Sequence, residues 1–336
     1  TRTLLILGLA ILGFSACERG LQNPDLPEDI RILNHWIWEN MNVFYLWEDQ
    51  LPYLDPDYQE DPEAYFYDLI VAQDRFSRIY QDYDEIQDAV DGVETTTGIS
   101  ALPALYFDSI LVYLVEFVYE DTPADLAGVK RGDIISSIDG QKLTKDNYLD
   151  LYYQETATFD FSDWTGEEFV PNGKQVSLTA QREELNPVVY SDVIESGGTR
   201  TGYLVYAQFT YGKEDIWLEE LNGVDLRYNP GGYSSMAAYL ASCIAPASVS
   251  QQGEVFTLKY WNDGYTDFWK DQDLDDNGQK DGDESTALVE RFPGSQIQLD
   301  MDKVYFLTAR GTASASELLM TSLYPYMDVV QIGETT

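Results

Sequence analysis

Between Lys303 and Tyr324 the apolar residues change from the alternation of a strand to the spacing of a helix, across a turn built of small residues. Val304–Leu307 is an apolar, β-prone run of strand length. Glu317–Tyr324 reads as a helix stopped before Pro325. The link is Gly311-Thr312-Ala313-Ser314-Ala315-Ser316. A strand that enters a helix through so tight a turn can present a serine hydroxyl beside backbone N–H groups that no helical carbonyl satisfies. That is a nucleophile with half of an oxyanion hole. Ser314-Ala-Ser-Glu317 also fits a Ser-x-x-Glu capping box, in which the serine only closes the helix end, and this stretch alone leaves both readings open.

A second segment bears on the choice. Val224-Asp-Leu-Arg-Tyr-Asn-Pro-Gly-Gly232 is a short strand broken by turn residues and followed by an alanine-rich helix from about Ser234. The two segments, in this order, resemble the tail-specific, or C-terminal processing, peptidases of the S41 serine protease family. The resemblance implies that Ser314 is the nucleophile. It implies that the N–H groups of Ala315 and of Gly231 or Gly232 hold the oxyanion. It also implies a lysine base located after a strand and a Gly-Glu-Thr turn. Every lysine here, Lys303 being the last, precedes Ser314, and the chain reads Val329-Val-Gln-Ile-Gly-Glu-Thr-Thr336. The expectation is therefore of a fragment, inactive alone, whose parent continues into a glycine-flanked lysine.

Composition narrows the alternatives. A length of 336 residues suggests two or three domains, and 44% hydrophobic with 14% aromatic residues is enough for a large core. Fifty-nine acids against 20 bases give a net charge of −39, which repels phosphate backbones and excludes nucleic acid as a partner class. Cys17 and Cys243 make no disulfide framework, and Cys243, among Tyr239, Leu240 and Ile244, reads as a buried thiol. His35 is the only histidine; it lies in an aromatic segment far in sequence from Ser314 and reads as structural. The inventory thus favours a serine–lysine mechanism over a Ser-His-Asp triad and argues against a multi-histidine zinc site.

Taken in order, residues 1–16 read as a signal peptide: Arg2, an apolar run too short to span a membrane, and small residues before Cys17. The ending resembles a bacterial lipoprotein signal, which implies lipidation of Cys17, a tether over 17–28 and a location in the cell envelope. Residues 29–95 suggest a helical region, with Ile32, Trp36, Trp38, Phe44, Tyr45 and Trp47 at helical spacings read as core. From 96 to 190 strands surround Thr122-Pro-Ala-Asp-Leu-Ala-Gly128 and Arg131-Gly-Asp-Ile-Ile135, and this run resembles a PDZ domain. The resemblance implies capture of peptide C-termini by strand addition, with the carboxylate loop near Thr97, Gly98 and Ile99. Asn147–Asn172 reads as an insertion or a long helix and loop.

Residues 197–336 resemble the S41 protease domain, in partial form, with an unusually short stretch, Tyr211–Gly223, before Asp225. Asp273, Asp275, Asn277, Asp281 and Glu284, with Gly278 between them, match the ligand spacing of a calcium loop; a solvated acidic loop gives the same pattern. The whole predicts a multidomain α/β protein: a helical N-terminal region, a PDZ domain and an incomplete ClpP/crotonase-like spiral protease domain. The implied function is that of an envelope serine endopeptidase acting near protein C-termini, with no required cofactor and calcium as an optional ion. The alternative is an inactive, lipid-anchored PDZ scaffold.

Overall fold

The computed structural model describes residues 26–107, 109–210 and 223–336, which fall into two units. Cys17 and nearly all of Tyr211–Gly223 therefore lie outside the described residues. Among those described, no helix is long and apolar enough to cross a membrane.

The first unit runs to Tyr80 and takes in Tyr260–Gly282. Its helices are α1 (Glu28–Phe44), α2 (Pro62–Leu69) and, from the later segment, α8 (Asp263–Lys270). Asp61 starts α2, its carboxylate accepting the N–H groups of Glu63 and Ala64 at 3.0 and 3.2 Å, with Pro62 at the first helical position. Asn262 starts α8 in the same way and also donates to the carbonyls of Val43 and Tyr45, which ties the end of α1 to α8. The core is Ile37, Met41, Tyr45, Tyr65, Phe66 and Leu69. This corrects the aromatic reading of α1, because Ile32, Trp36 and Phe44 are exposed. Helical spacing allows more than one apolar stripe; Tyr65, Phe66 and Leu69 of α2 select the one through Ile37 and Met41. His35 hydrogen-bonds Asp57 at 3.0 Å within this unit, as a structural histidine would.

The second unit comprises Gln81–Lys259 and Asp283–Thr336. After α3 (Tyr83–Val90), β1 (Val93–Thr96) pairs with β8 (Gln181–Glu184) in an antiparallel ribbon. Between them lies an antiparallel sheet. Its order is β2 (Ile99–Tyr106), β3 (Ile110–Val118), β4 (Ile134–Ile138), β6 (Thr156–Trp164) and β7 (Phe169–Thr179), and β5 (Gln141–Lys142) turns back on β4. Helices α4 (Pro123–Leu126) and α5 (Tyr148–Tyr152) complete it. Its core gathers Ile99, Tyr113, Ile135, Ile138, Phe159 and Phe161. The expected insertion at Asn147–Asn172 is instead α5 followed by most of the β6–β7 hairpin. Ala157, Phe159 and Phe161 alternate into the core along β6. Pro171 and Gly173 fit within β7 because it is the edge strand of the sheet.

A second sheet has the order β15 (Asp328–Gly333), β14 (Lys303–Thr308), β11 (Gly223–Asp225), β10 (Thr199–Tyr206) and β9 (Val188–Ser196). All neighbours are parallel except β9 and β10. Val304, Phe306 and Thr308 alternate inward along β14. They meet α6 (Ser234–Ile244), almost wholly buried, and α9 (Ala315–Leu323). Helix α7 (Ala247–Ser250) and the pair β12 (Val255–Leu258) and β13 (Val289–Arg291) close the far side of this core. Cys243 is a buried free thiol 3.2 Å from the Ser295 hydroxyl, and burial pushes its pKa up. Because β11 and β14 are parallel and in register, Asp225 opposite Leu307, the turns that follow them leave the same end of the sheet. Open parallel sheets place ligands at that carboxyl end.

Candidate active site

Ser314 stands between β14 and α9 with φ 55° and ψ −118°, backbone that L-residues avoid at a cost of about 1–3 kcal/mol. The surrounding turn holds it there. Thr312 Oγ1 donates to Leu226 O at 2.7 Å and accepts the N–H of Ala309 at 3.0 Å. Ser316 Oγ and the N–H of Ala313 both donate to Asn229 O, at 3.1 and 3.3 Å. The Ser314–Glu317 capping box also forms, with Ser314 N–H donating to Glu317 Oε2 at 3.0 Å. Capping does not exclude nucleophilicity. A hydroxyl that accepts a bond keeps its own proton to donate, and the Ser314 residue is exposed.

The Asn-Pro-Gly-Gly turn abuts this serine. A Cβ built on Gly231, at φ 116°, would lie 2.7 Å from Ser314 Cβ and 3.1 Å from the nitrogen of Ala315. Asn229 shapes the turn: buried, it accepts the N–H of Gly231 at 2.8 Å and donates to Tyr206 O at 3.1 Å. That bond distinguishes the two glycines. The N–H of Gly231 is engaged, whereas that of Gly232 donates to no acceptor among the described residues; Gly232 bridges Phe209 through its neighbours' groups. The N–H of Ala315, in the first turn of α9, has no helical acceptor either. Two donors thus remain without an acceptor, one on the residue after the exposed serine and one on the residue after the glycine that abuts it.

Behind the turn, Asp225 is fully buried. It accepts from Tyr203 Oη at 2.6 Å, from Arg227 Nη2 at 2.6 Å and from Arg227 N–H at 3.1 Å. Burial alone would raise its carboxyl pKa, but the Arg227 and Tyr203 hydrogen bonds outweigh it and the net shift is downward. A depressed carboxyl contributes stability that is full above the unfolded value, about 4, and is lost as pH falls through the folded value. Asp225→Asn should therefore be destabilised by about 2–3 kcal/mol near neutrality. This is below the figure for fully buried pairs because Arg227 is more than a third exposed. Urea unfolding should show that gap constant above about pH 5 and narrowing below about pH 4; a gap that grows on acidification would contradict the pairing.

Tyr203, Asn229, Thr312 and Ser316 were not singled out from the sequence. Asp225 and Arg227 could have been, since an aspartate that ends a strand commonly accepts the N–H of the residue two further on in the turn. Thr97, Gly98 and Ile99 lead into β2, the free edge of its sheet. Gly98 N–H donates to Thr96 Oγ1 at 3.0 Å, and Tyr152 Oη donates to Ile99 O at 2.9 Å. A groove of about 330 Å³ follows this edge, reaching from Ser100 and Gln154 to Ala207 and Pro230 beside the Gly231 turn.

The acidic loop is closed by its own backbone. Asp273 accepts the N–H groups of Asn277 and Gly278 at 3.1 and 2.7 Å, Asp275 that of Asn277 at 3.2 Å, and Asp281 that of Leu274 at 2.8 Å. Glu284, in the second unit, pairs with Arg291 at 3.1 Å. Among the described residues no group of three or more His, Cys, Asp or Glu is disposed to hold a metal ion.

Residues 33–78 match the family model for the peptidase S41 N-terminal domain, 114–154 that for the PDZ domain, and 200–336 that for peptidase family S41. Among solved structures, an S41 protease from Bacteroides fragilis is similar at 24% identity and a TM-score of 0.65. That match covers 90% of this chain and 78% of that one. The photosystem II D1 C-terminal processing protease is matched at 17% identity and a TM-score of 0.43, over 89% and 79%. The first of these establishes the likeness of fold. No curated protein sequence matches.

Proposed function

We propose that this chain, assembled from the domains of the S41 peptidases, is a serine endopeptidase that cuts proteins near their C-terminal tails by a serine–lysine mechanism. The observation that carries the reading is Ser314, strained and exposed, beside the free N–H groups of Ala315 and Gly232. Ser314 Oγ attacks the scissile carbonyl carbon while its proton passes to a neutral lysine. The carbonyl oxygen, now an anion, is held by the two N–H groups. Collapse breaks the C–N bond, the lysine returns the proton to the leaving amine, and water hydrolyses the acyl-enzyme.

Lys303 is the wrong base: its hydrogen bond with Asp328 raises its pKa, whereas a base near neutrality needs a lowered one. The family resemblance assigns the role to a lysine following the Gly333–Thr335 turn. Thr308 hydrogen-bonds that turn on both sides, accepting from Glu334 N–H at 3.2 Å and donating to Glu334 O at 2.8 Å, at the end of the strand that leads to Ser314. The turn at the end of β15 is thereby held beside the end of β14, from which the nucleophile's turn leaves. The chemistry calls for no cofactor.

A fluorophosphonate probe on the full-length protein, read by peptide mass mapping, tests the reading. Modification at Ser314 is expected; an unmodified Ser314 would return the chain to the non-catalytic PDZ scaffold. The envelope location rests on Cys17 as a lipidated N-terminus. Fatty-acid labelling should reach the protein and vanish in Cys17→Ala, and equal labelling of the two would remove the anchor.

A further inference from the structure

The groove along β2 contains a charge that its surroundings leave unanswered. Among the described residues that line it, Glu94 is the only charged one; the others are threonines, tyrosines, glutamines and apolar groups. Glu94 keeps exposed surface at the groove although the atoms around it desolvate the carboxyl enough to push its pKa up, and no Lys or Arg among the described residues pairs with it. Its partner across the β1–β8 register is Glu183, a second carboxylate, and like charges directly opposite are destabilising. The groove also lacks a cation for a peptide's terminal carboxylate, and Gly98 N–H is already turned to Thr96. Meanwhile, among the described residues, β2 has no neighbouring strand on its outer side and offers an edge for an added strand, with Tyr152 capping Ile99 at its start. A neutral or acidic tail would bring its carboxylate to a negative site; a basic residue near the end of the tail removes that mismatch.

We propose that this groove selects protein C-terminal tails carrying a lysine or arginine among their last residues, whose cation pairs with Glu94. The inference names the substrate class of the peptidase reading and rests on it for the fate of the tail; capture itself does not require Ser314. The net charge of −39 acts in the same direction, drawing cationic tails toward the surface at low salt.

The test is fluorescence anisotropy on the full chain carrying Ser314→Ala, so that nothing is turned over. Short labelled peptides with free C-termini would carry Lys, Gln or Glu in turn at each of the last positions. At one position Lys should bind about fivefold more tightly than Gln, with Glu weaker than both, and the difference should shrink as salt is raised. Glu94→Gln should erase the preference and Glu94→Lys should reverse it toward Glu-bearing tails. Equal affinity for Lys and Gln tails in the unsubstituted groove, or a Lys preference that survives Glu94→Gln, overturns the proposal. If no free C-terminus binds at all, tail capture falls while probe reactivity at Ser314 still stands, so the two failures are distinguishable.

Discussion

Ser314→Ala should reduce peptide hydrolysis by the full-length protein by about 10⁴-fold or more, to the level left by binding and the oxyanion donors alone. The expectation follows from the turn, which offers one exposed hydroxyl next to two free N–H groups. Ser316, two residues on, is buried and donates to Asn229 O, so it cannot substitute. A second variant makes the prediction structural as well as catalytic. At φ 55° and ψ −118° any side chain is strained, and only glycine adopts the conformation at little cost. Ser314→Gly and Ser314→Ala both lack the nucleophile and should be equally inactive, but the glycine form should melt higher. Melting in the reverse order would mean that the turn relaxes in solution, and the preorganised nucleophile would lose its main support.

Why the serine was legible and its supports were not is a matter of range. The change of period around Gly311–Ser316 and the Asn-Pro-Gly-Gly break are local signals, written in neighbouring residues. The choice between Gly231 and Gly232 was not local. It depends on the Asn229 side chain, which turns back to one N–H because its other end reaches Tyr206 on a different strand. Tyr203 is similar: it meets Asp225 only because β10 and β11 pair side by side. The β6–β7 hairpin is not legible locally, because Pro171 and Gly173 look like breakers until the strand is known to lie at an edge. On α1, aromatics at helical spacing did not reveal which face was covered, since α2 decides it. Glu94 carried no motif; its importance appears only when β1 is found beside the groove of β2.

Gly231→Ala should lower kcat by at least about 100-fold, with KM much less affected, because it disturbs the reacting atoms and not the groove that binds the chain. Two effects combine at this position, and a control separates them. One is conformational: φ 116° lies outside the range of L-residues, costing about 1–3 kcal/mol. The other is contact: the new methyl would sit 2.7 Å from Ser314 Cβ and 3.1 Å from the Ala315 nitrogen and Ala313 oxygen. Two of these three atoms are backbone, fixed by the Asn229 and Thr312 bonds, so relief must come from moving the serine or the oxyanion donor. Gly128 has φ 76° but no atom within 4 Å of its added Cβ, so Gly128→Ala should show the strain without the contact. It should therefore lose stability by about 1–2 kcal/mol and keep wild-type kcat. Gly232→Ala, whose Cβ would meet Phe209 O at 2.2 Å, should break the bridge to Phe209 and cost the most stability of the three. If Gly231→Ala retains wild-type kcat and fluorophosphonate reactivity, the glycine turn does not abut the nucleophile, and the assignment of Gly232 and Ala315 as oxyanion donors fails with it.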